Sequence, residues 1–372
     1  MKSKTRNIFF FVGLIFVILM ILTFKVSFTE LWQQITHAGY WLVAIIGMWV
    51  PLYIMNTWTW RTILKGSGDT MVPFWKLFKV TISGFALNYA TPVGLMGGEP
   101  YKIMEIKQYV GVQRASSSTV LFAMMHIFSH FWYWVTALIL YLFFMPVNFP
   151  IAVLLAIVAL FCVAGIYLFL KGYKKGMVVK LIRLIAKIPG CKKWAINFAQ
   201  KNAEDLNKID DQIAALHKQN KKYFFISFFL EYFGRILQSF EIFFMLMLFA
   251  DSQPGIMLFI QSLIILAFTS LFANMLFFIP LQIGGREGGF AMVVSNLGMT
   301  MQVSMSISII SRVREIFWTS LGLLLMKVGN SKVAVDKKDN DNSENEKRID
   351  DMSVNDEHIM EKSNDNSSGN MN

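Results

Sequence analysis

Apolar runs long enough to cross a lipid bilayer recur along this chain. They cover residues 8–24, 40–58, 117–144, 151–170, 223–250 and 303–328. A helix needs about 20 mainly apolar residues to span roughly 30 Å of hydrocarbon, and the chain is 55% hydrophobic with only 16% charged residues. Short segments of alternating polarity, which are typical of a membrane β-barrel, are not visible. The sequence therefore predicts an all-α polytopic membrane protein with about six transmembrane helices.

Basic residues are concentrated in two places next to apolar runs. Lys2, Lys4 and Arg6 precede the first run, and residues 171–222 hold 13 Lys/Arg against 4 Asp/Glu. Loops rich in Lys and Arg stay in the cytoplasm. We therefore expect a bacterial-type plasma (inner) membrane protein whose N-terminus and basic loop are cytoplasmic. Membrane topology accounts for the net charge of +11, so we expect no nucleic acid as a partner.

The C-terminal segment differs in composition from the rest of the chain. Residues 329–372 hold 6 basic and 11 acidic residues, whereas 1–328 hold 29 basic and 13 acidic residues. Such a polar segment cannot offset its ordering entropy by burying apolar surface. We therefore expect a transmembrane domain over 1–328 and a disordered acidic tail. The halves of the domain are about 1–170 and 223–328, on either side of the basic cytoplasmic loop 171–222.

Two similar loops, rich in glycine and proline, follow apolar segments in the two halves. The first has the sequence PVGLMGGEPYK over 92–102, and the second has PLQIGGREGG over 280–289. In each loop a glutamate, Glu99 or Glu287, lies seven residues after the proline. One such loop would be explained as a tight turn at a helix end, with a glutamate favoured by the helix dipole. Two in corresponding positions indicate an internal repeat.

The apolar segment 80–96, before the first loop, is flanked on both sides by charged residues typical of the cytoplasm. Because both ends lie on one side, we predict a re-entrant hairpin, which requires protein or a water-filled cavity around it. A surface-lying amphipathic helix is the alternative. Segment 256–279 holds the corresponding place in the second half. If it is a hairpin entered from outside, the halves are inverted copies, as in many transporters; if it crosses, the tail lies outside.

The candidate substrate site consists of ionisable side chains within or beside these apolar segments, where such groups are costly and indicate function. They are Glu99, Lys102, Arg235, Arg286, Glu287, Arg312 and Arg314. The candidate hairpin backbone consists of Pro92, Gly97, Gly98, Pro280, Gly284, Gly285 and Gly288. A guanidinium suits phosphate, and free N–H groups at helix N-termini suit an anion. We therefore expect a phosphate-binding cavity between the halves, across which Glu99 faces Arg286 and Glu287.

Ion pairing within helices is the structural alternative for several of these side chains. Glu231 and Arg235 are four residues apart, and Arg312 and Glu315 are three apart. Both spacings place the two side chains on one helix face. Each pair would then neutralise its own charge in the bundle, without a substrate.

His126 and His130 lie four residues apart in the run 117–144. No Asp or Glu lies nearby to complete a zinc site, so we expect no metal. A histidine satisfied within the bundle, or a proton-relay residue, explains the pair instead. The sequence contains no motif of a phosphate-binding loop, serine hydrolase, zinc protease or dithiol oxidoreductase. We therefore expect no cofactor and no catalytic residue.

The two loops give the chain a resemblance to a known family over nearly all of residues 1–328. It resembles the flippase-like integral membrane proteins related to the transmembrane region of lysylphosphatidylglycerol synthase. That family has a proline- and glycine-rich stretch that ends in glutamate after its first hairpin, like Pro92–Glu99, and a later stretch with Arg-Glu-Gly, like Pro280–Gly288. Members often carry Glu-Arg and then Asp early in the third helix, where this chain has His126 and His130.

The resemblance implies that the protein moves an amphiphile between leaflets. The amphiphile would be an anionic or aminoacylated phospholipid or a polyprenyl-linked headgroup, so membrane lipids are the expected partners. An arginine in the last helix, Arg312 or Arg314, also fits the family pattern. Full-length synthases add a soluble aminoacyltransferase domain. The loop 171–222 is too short to hold one, and we expect no aminoacyl transfer by this chain alone.

Two other functions are compatible with the sequence. The chain could be a membrane subunit that supports a separate lipid-modifying enzyme, recruited through the loop 171–222. It could also be a secondary transporter of ions or small solutes built on the same repeat. The sequence contains no nucleotide-binding motif, so direct use of ATP is not expected, and it does not define the oligomeric state.

Overall fold

The structure, a computed structural model, describes most of the chain outside the loop 171–222 and the C-terminal segment. The described residues are 7–11, 13–15, 18, 28–69, 71–90, 97–175, 221–249, 254–275 and 285–327, with short pieces between 196 and 211. Every regular element in these ranges is a helix, which confirms the all-α prediction. Pro92, Pro280 and Gly284, most of the loop 171–222 and the expected tail 329–372 lie outside the described residues.

Nine longer helices follow one another along the described part of the chain. They are α1 (Phe28–Gly47), α2 (Trp49–Gly66), α3 (Phe74–Ala90), α4 (Glu99–Phe144), α5 (Phe149–Lys175), α6 (Lys221–Leu246), α7 (Ile256–Met275), α8 (Gly285–Asn296) and α9 (Met301–Leu325). Met1–Val328, which contains all of them, forms one compact unit.

Four helical stretches in the described residues are long and apolar enough to cross a membrane. They are Trp32–Gly66, Glu99–Phe144, Phe149–Lys171 and Ile256–Met275. The prediction of a multi-pass α-helical membrane protein is therefore confirmed. Helices α6 and α9, which were also predicted to cross, carry several buried ionisable side chains and are correspondingly less apolar.

Two predicted helices differ in their bounds from the helices in the structure. The run 40–58 belongs to a longer helical stretch, because α1 begins before it and α2 extends beyond it. The run 117–144 is only the second part of α4, which begins at Glu99 and bends at Gly111. Gly111 has φ 78° and ψ 162°, a conformation that glycine adopts readily and other residues do not. The first part of α4 was not predicted, because the polar residues before 117 interrupt the apolar pattern.

Helix α3 and the first part of α4 form an antiparallel helical pair, which we call the first helical pair. Lys76, near the start of α3, forms an ion pair with Glu105. Near the end of α3, Asn88 Nδ2 donates to Glu99 Oε1 at 3.2 Å, and the Gly98 N–H donates to Asn88 Oδ1 at 2.6 Å. The first glycine-rich loop therefore joins two adjacent antiparallel helices.

Glycines allow the two helices of this pair to touch. A Cβ on Gly98 would overlap the carbonyl oxygen of Gly84, and a Cβ on Gly84 would overlap the Lys102 side chain. Because backbone lies directly against backbone at this point, no larger residue fits without moving a helix. The glycine at position 98, predicted from the loop alone, has a packing role here.

Helices α7 and α8 pack against each other and form the second helical pair. The segment that joins them, 276–284, lies outside the described residues. A Cβ on Gly289 would lie 3.2 Å from the Cα of Thr269, which is tighter than an ordinary contact. The helix after the second glycine-rich loop, α8, therefore also packs closely on the helix before that loop, α7.

Helix α9 connects the N-terminal helices with the C-terminal part of the bundle. Ser83 Oγ on α3 donates to the carbonyl of Gly322 at 2.8 Å. Trp318 Nε1 on α9 donates to the carbonyl of Ile46 at 3.0 Å. These contacts, made across more than half of the chain, hold α9 against α1 and α3.

Helix α5 presents an apolar face to the outside of the bundle. Leu160, Val163 and Leu168 are each more than half exposed. A contiguous face of this kind is unfavourable in water and is suited to lipid. Several charged side chains, among them Lys102, Glu231 and Arg314, are instead buried inside the bundle, where the candidate site is found.

Candidate functional site

An open cavity lies inside the helix bundle, between α2, α3, α4 and α6. The empty space in it, including the part open to the outside, is about 490 Å³. We call it the central cavity, and it is lined by Trp49, Leu52, Tyr53, Met55, Asn56, Phe85, Tyr89, His126, Leu230, Glu231, Gly234, Arg235 and Gln238. Mostly aromatic and apolar walls with a few polar groups are typical of a small-molecule site.

Glu231, His126 and Arg235 are bonded to one another on one wall of the central cavity. His126 Nδ1 lies 2.9 Å from Glu231 Oε2, and His126 Nε2 lies 2.7 Å from Arg235 Nη2. Arginine can only donate, so the tautomer that satisfies both partners accepts from Arg235 at Nε2 and donates to Glu231 from Nδ1, although Arg235 Nη2 also lies 2.8 Å from Nδ1. This arrangement fits a neutral imidazole. Arg235 and Glu231 also lie 4.0 Å apart, as their spacing on one helix face predicts.

Trp49 links the wall of the central cavity to buried charges on α6 and α9. Its indole Nε1 donates to Glu241 Oε2 at 2.9 Å, while Arg314 Nε donates to Glu241 Oε1 at 2.8 Å. The Arg314 guanidinium also lies 4.2 Å from the centre of the Trp49 ring, a cation–π contact. Both oxygens of Glu241 are therefore occupied.

Glu315 continues this set of charges towards α8. It pairs with Arg286, and its Oε2 accepts from Arg312 Nη1 at 3.0 Å. Arg314 Nη1 lies 3.7 Å from Glu315 Oε1, and Arg312 Nη2 donates to Glu287 Oε1 at 2.7 Å. We call the six residues the ion-pair network: Glu241, Arg286, Glu287, Arg312, Arg314 and Glu315.

The ion-pair network contains three arginines and three carboxylates, so its charges cancel. Its central members Glu241, Arg314 and Glu315 are at most 2% exposed. Burying an unpaired charge costs several kcal/mol, and the pairing removes most of that cost. The arginines are therefore held by carboxylates of the protein in this conformation. The expected pairing of Arg312 with Glu315 is present.

Lys102 and Glu99 form a separate charged pair within the first helical pair. Lys102 Nζ lies 3.1 Å from Glu99 Oε1. It also lies 4.8 Å from the ring centre of Phe85 and 5.1 Å from that of Phe122. The Lys102 side chain is thus buried between two aromatic faces, which compensates in part for its lost hydration.

The seven predicted substrate-binding residues fall into three groups. Arg235 lines the central cavity, Glu99 and Lys102 belong to the first helical pair, and the remaining four belong to the ion-pair network. The structure thus gives Glu99 and Glu287 different partners. Contact of any of the seven residues with a substrate stays a prediction. Of the predicted hairpin backbone, the structure describes Gly97, Gly98, Gly285 and Gly288.

Several residues of the central cavity were not predicted from the sequence. Asn56 and Tyr53 lie in an apolar run of α2 and line the cavity, and Trp49 joins it to the ion-pair network. Asn56 is a polar residue in the middle of a membrane-spanning run, so its presence there was a usable signal. Nothing in the sequence distinguished Trp49 from the other tryptophans, since its partner Glu241 is 192 residues away.

The sequence matches a family described as the lysylphosphatidylglycerol synthase TM region over residues 10–322. The chain belongs to this family. The segment that matches the lysylphosphatidylglycerol synthase TM region contains the central cavity, both helical pairs and the ion-pair network. No curated protein and no solved structure matches the chain. Within the described residues, no group of three or more His, Cys, Asp or Glu side chains could hold a metal ion.

Proposed function

We propose that this membrane protein translocates lipids. It moves the polar headgroup of an anionic or aminoacylated phospholipid, or of a polyprenyl-linked amphiphile, between leaflets. The central cavity carries this proposal, because it places Glu231, His126 and Arg235 inside a bundle with an apolar outer face. A headgroup that crosses roughly 30 Å of hydrocarbon loses its water, and polar groups in a cavity replace that hydration. The family, named after a lipid-synthesising enzyme, supports a lipid substrate.

The two helical pairs support an inverted-repeat architecture. In this proposal the first pair enters the membrane from the cytoplasm, the second enters from outside, and six other helices cross. The N-terminus and the basic loop 171–222 are then cytoplasmic, in the plasma membrane. Support comes from the similar loops and from the close glycine contacts at Gly98 and Gly289. Rocking of the two halves alternates the access of the cavity between the leaflets, as in other inverted-repeat transporters.

The ion-pair network is the gate in this proposal. Trp49 belongs to the cavity wall and bonds to Glu241, so a rearrangement of the network changes the wall. When the halves move, the guanidinium groups of Arg286 and Arg312 exchange a carboxylate for the phosphate of the passing headgroup. Lys102 makes the corresponding exchange in the first helical pair, where it leaves Glu99.

Lipid movement by the purified protein in vesicles tests this proposal. Vesicles carry a phospholipid with a fluorescent acyl chain, and dithionite added outside quenches only the outer leaflet. We expect the wild type to equilibrate the label faster than protein-free vesicles. Arg235→Gln should slow this by about tenfold or more, because it removes a charged hydrogen-bond donor from the cavity. Arg114→Gln is the matched control, since Arg114 binds the Asp69 carbonyl at 2.9 Å, away from the cavity.

The outcomes separate the proposal from its alternatives. An inactive wild type, or equal rates for wild type and Arg235→Gln, would contradict it. Uptake of ions or small solutes without lipid movement would identify a secondary transporter instead. Lipid transfer that requires a co-purified enzyme would identify a subunit of a lipid-modifying complex, a partner that stays a prediction.

A further inference from the structure

Two acceptor atoms on residues of the central cavity receive no hydrogen bond from the described part of the protein. They are Glu231 Oε1 and Asn56 Oδ1, both buried. The Glu231 residue is 4% exposed. The single hydroxyl hydrogen of Thr59, which is within hydrogen-bond reach of Glu231, also has the carbonyl of Met55 as an acceptor at 3.0 Å. The Asn56 amide nitrogen donates to the carbonyl of Leu52 at 2.8 Å, whereas the amide oxygen has no donor among the described residues. A buried acceptor without a donor is costly, so these atoms favour a ligand that brings donors.

An ammonium group has the chemistry that these two acceptors require. It offers three N–H donors and no acceptor, and its positive charge is complementary to the Glu231 carboxylate. Tyr53, Phe85 and Tyr89 also line the cavity. Aromatic faces attract a cation, more strongly when water is excluded. A neutral donor such as a hydroxyl would use neither the charge of Glu231 nor the aromatic side chains.

Arg235 provides a matching place for an anion. Its Nε lies 3.5 Å from Ser129 Oγ, and its Nη1 lies 3.5 Å from Gln238 Oε1. Both distances are long for N–H···O hydrogen bonds, so the protein holds these two donors only weakly. These two donors lie on different edges of the guanidinium, so a phosphodiester oxygen can accept a charge-assisted hydrogen bond from one or the other.

The number and spacing of charges in the cavity limit the ligand further. Glu231 is the one carboxylate and Arg235 the one guanidinium among the lining residues. The next carboxylate, Glu241, has both oxygens bonded, to Trp49 and Arg314. A second ammonium would therefore be buried without a partner, which is costly. The charged groups of Glu231 and Arg235 lie 4.0 Å apart at their nearest atoms, so the two charges of the ligand must also lie close together, as a two-carbon linker holds them.

We propose that the central cavity binds a zwitterionic headgroup with one ammonium and one phosphodiester, as in an ethanolamine phospholipid. The ammonium lies against Glu231 and Asn56, and the phosphodiester lies against Arg235. This inference rests on the proposed lipid function and narrows its substrate class. A lysyl headgroup brings a second ammonium that has no carboxylate, and a glycerol headgroup brings no ammonium to Glu231.

Binding of three lipids with identical acyl chains to the purified full-length protein tests the inference. The probes are phosphatidylethanolamine, phosphatidylglycerol and lysylphosphatidylglycerol, added to the protein in detergent and measured by native mass spectrometry. We expect the wild type to bind the ethanolamine lipid about tenfold more tightly than either other lipid, as for one charged hydrogen bond. Glu231→Gln should abolish this preference. Glu105→Gln should retain it, because Glu105 is a buried carboxylate that pairs with Lys76 outside the cavity.

Four results would overturn the inference. They are tightest binding of the lysyl lipid, equal binding of the glycerol and ethanolamine lipids, no lipid binding, and equal loss of preference in Glu105→Gln and Glu231→Gln. The same preparations are assayed for lipid movement in vesicles. Lipid movement without headgroup preference would contradict the inference but not the translocation proposal. Selective binding of the ethanolamine lipid without lipid movement would contradict the translocation proposal but not the inference.

Discussion

Trp49 on α2 donates its indole N–H to Glu241 on α6 at 2.9 Å. The two residues are 192 positions apart in the chain, and both are buried. The bond joins a wall of the central cavity to a network of paired charges, because Glu241 also accepts from Arg314. Cavity shape and charge pairing are therefore coupled at this contact.

Trp49→Phe should destabilise the protein by about 1–3 kcal/mol, since it leaves a buried carboxylate oxygen without its donor. The expected observation is a lower apparent unfolding temperature in detergent. Trp132→Phe is the control, because Trp132 is 39% exposed and little packing is lost there. Equal unfolding temperatures for the two variants would contradict a structural role of the indole N–H.

Arg314→Met should lower the stability of the protein more than Trp49→Phe does, because it leaves the buried Glu241 carboxylate without a cationic partner. Breaking one member of a buried ion pair costs about 3–5 kcal/mol. The double variant Arg314→Met/Glu241→Met should recover much of that loss, since both charges are then gone. Thermal unfolding and recovery of monodisperse protein after gel filtration measure the effect. A double variant that is less stable than Arg314→Met would show that the two residues do not act as a pair.

Gly98→Ala should disrupt the first helical pair, because the new Cβ would overlap the Gly84 carbonyl oxygen. We expect a clear loss of stability, as for overpacking in a core, of about 1–3 kcal/mol. Gly288→Ala is the matched control, since a Cβ on Gly288 has nothing within 4 Å. If both variants unfold at the same temperature as the wild type, the close contact between Gly84 and Gly98 is not required.

Single cysteines at the two ends of the second helical pair test whether that pair is re-entrant. Gly255→Cys and Met301→Cys are introduced singly into a chain in which Cys162 and Cys191 are replaced by serine. Both native positions, 255 and 301, are exposed. A membrane-impermeant thiol reagent should label both variants from the outside of intact cells. Labelling of only one of them would show that α7 crosses and does not return with α8.

The same labelling experiment on the first helical pair tests whether its two ends lie on the cytoplasmic side, opposite to those of the second pair. Met71 and Val112 lie at its two ends and are 83% and 60% exposed. Met71→Cys and Val112→Cys should be labelled only after the membrane is opened, because both ends are expected in the cytoplasm. Labelling of either one in intact cells would contradict the inverted arrangement.

The helices were largely predictable from the sequence because a membrane-spanning helix requires only a sufficient length of apolar residues, which is a local property. The first part of α4 was not predictable in this way. Its residues before 117 are polar, and the bend at Gly111 separates it from the apolar part. Its position is determined by contacts with α3, such as that between Gly98 and Asn88.

The candidate site was predictable only where its residues are close in sequence. The helical spacing of Glu231 and Arg235, and of Arg312 and Glu315, indicated ion pairs that the structure contains. His126 bonds to Glu231 across 105 residues, and no local pattern could have joined them. Long-range pairs depend on how helices pack, and packing is a property of the whole bundle.

The cancellation of charge in the ion-pair network has a consequence for movement in an energised membrane. Transferring one elementary charge through a membrane potential involves about 2.3 kcal/mol per 100 mV. Three arginines and three carboxylates that move as one body transfer no net charge, so the electric field does almost no work on them. As long as the six side chains move together, even when an arginine changes its partner, their movement would therefore add no difference between the rates in polarised and depolarised vesicles.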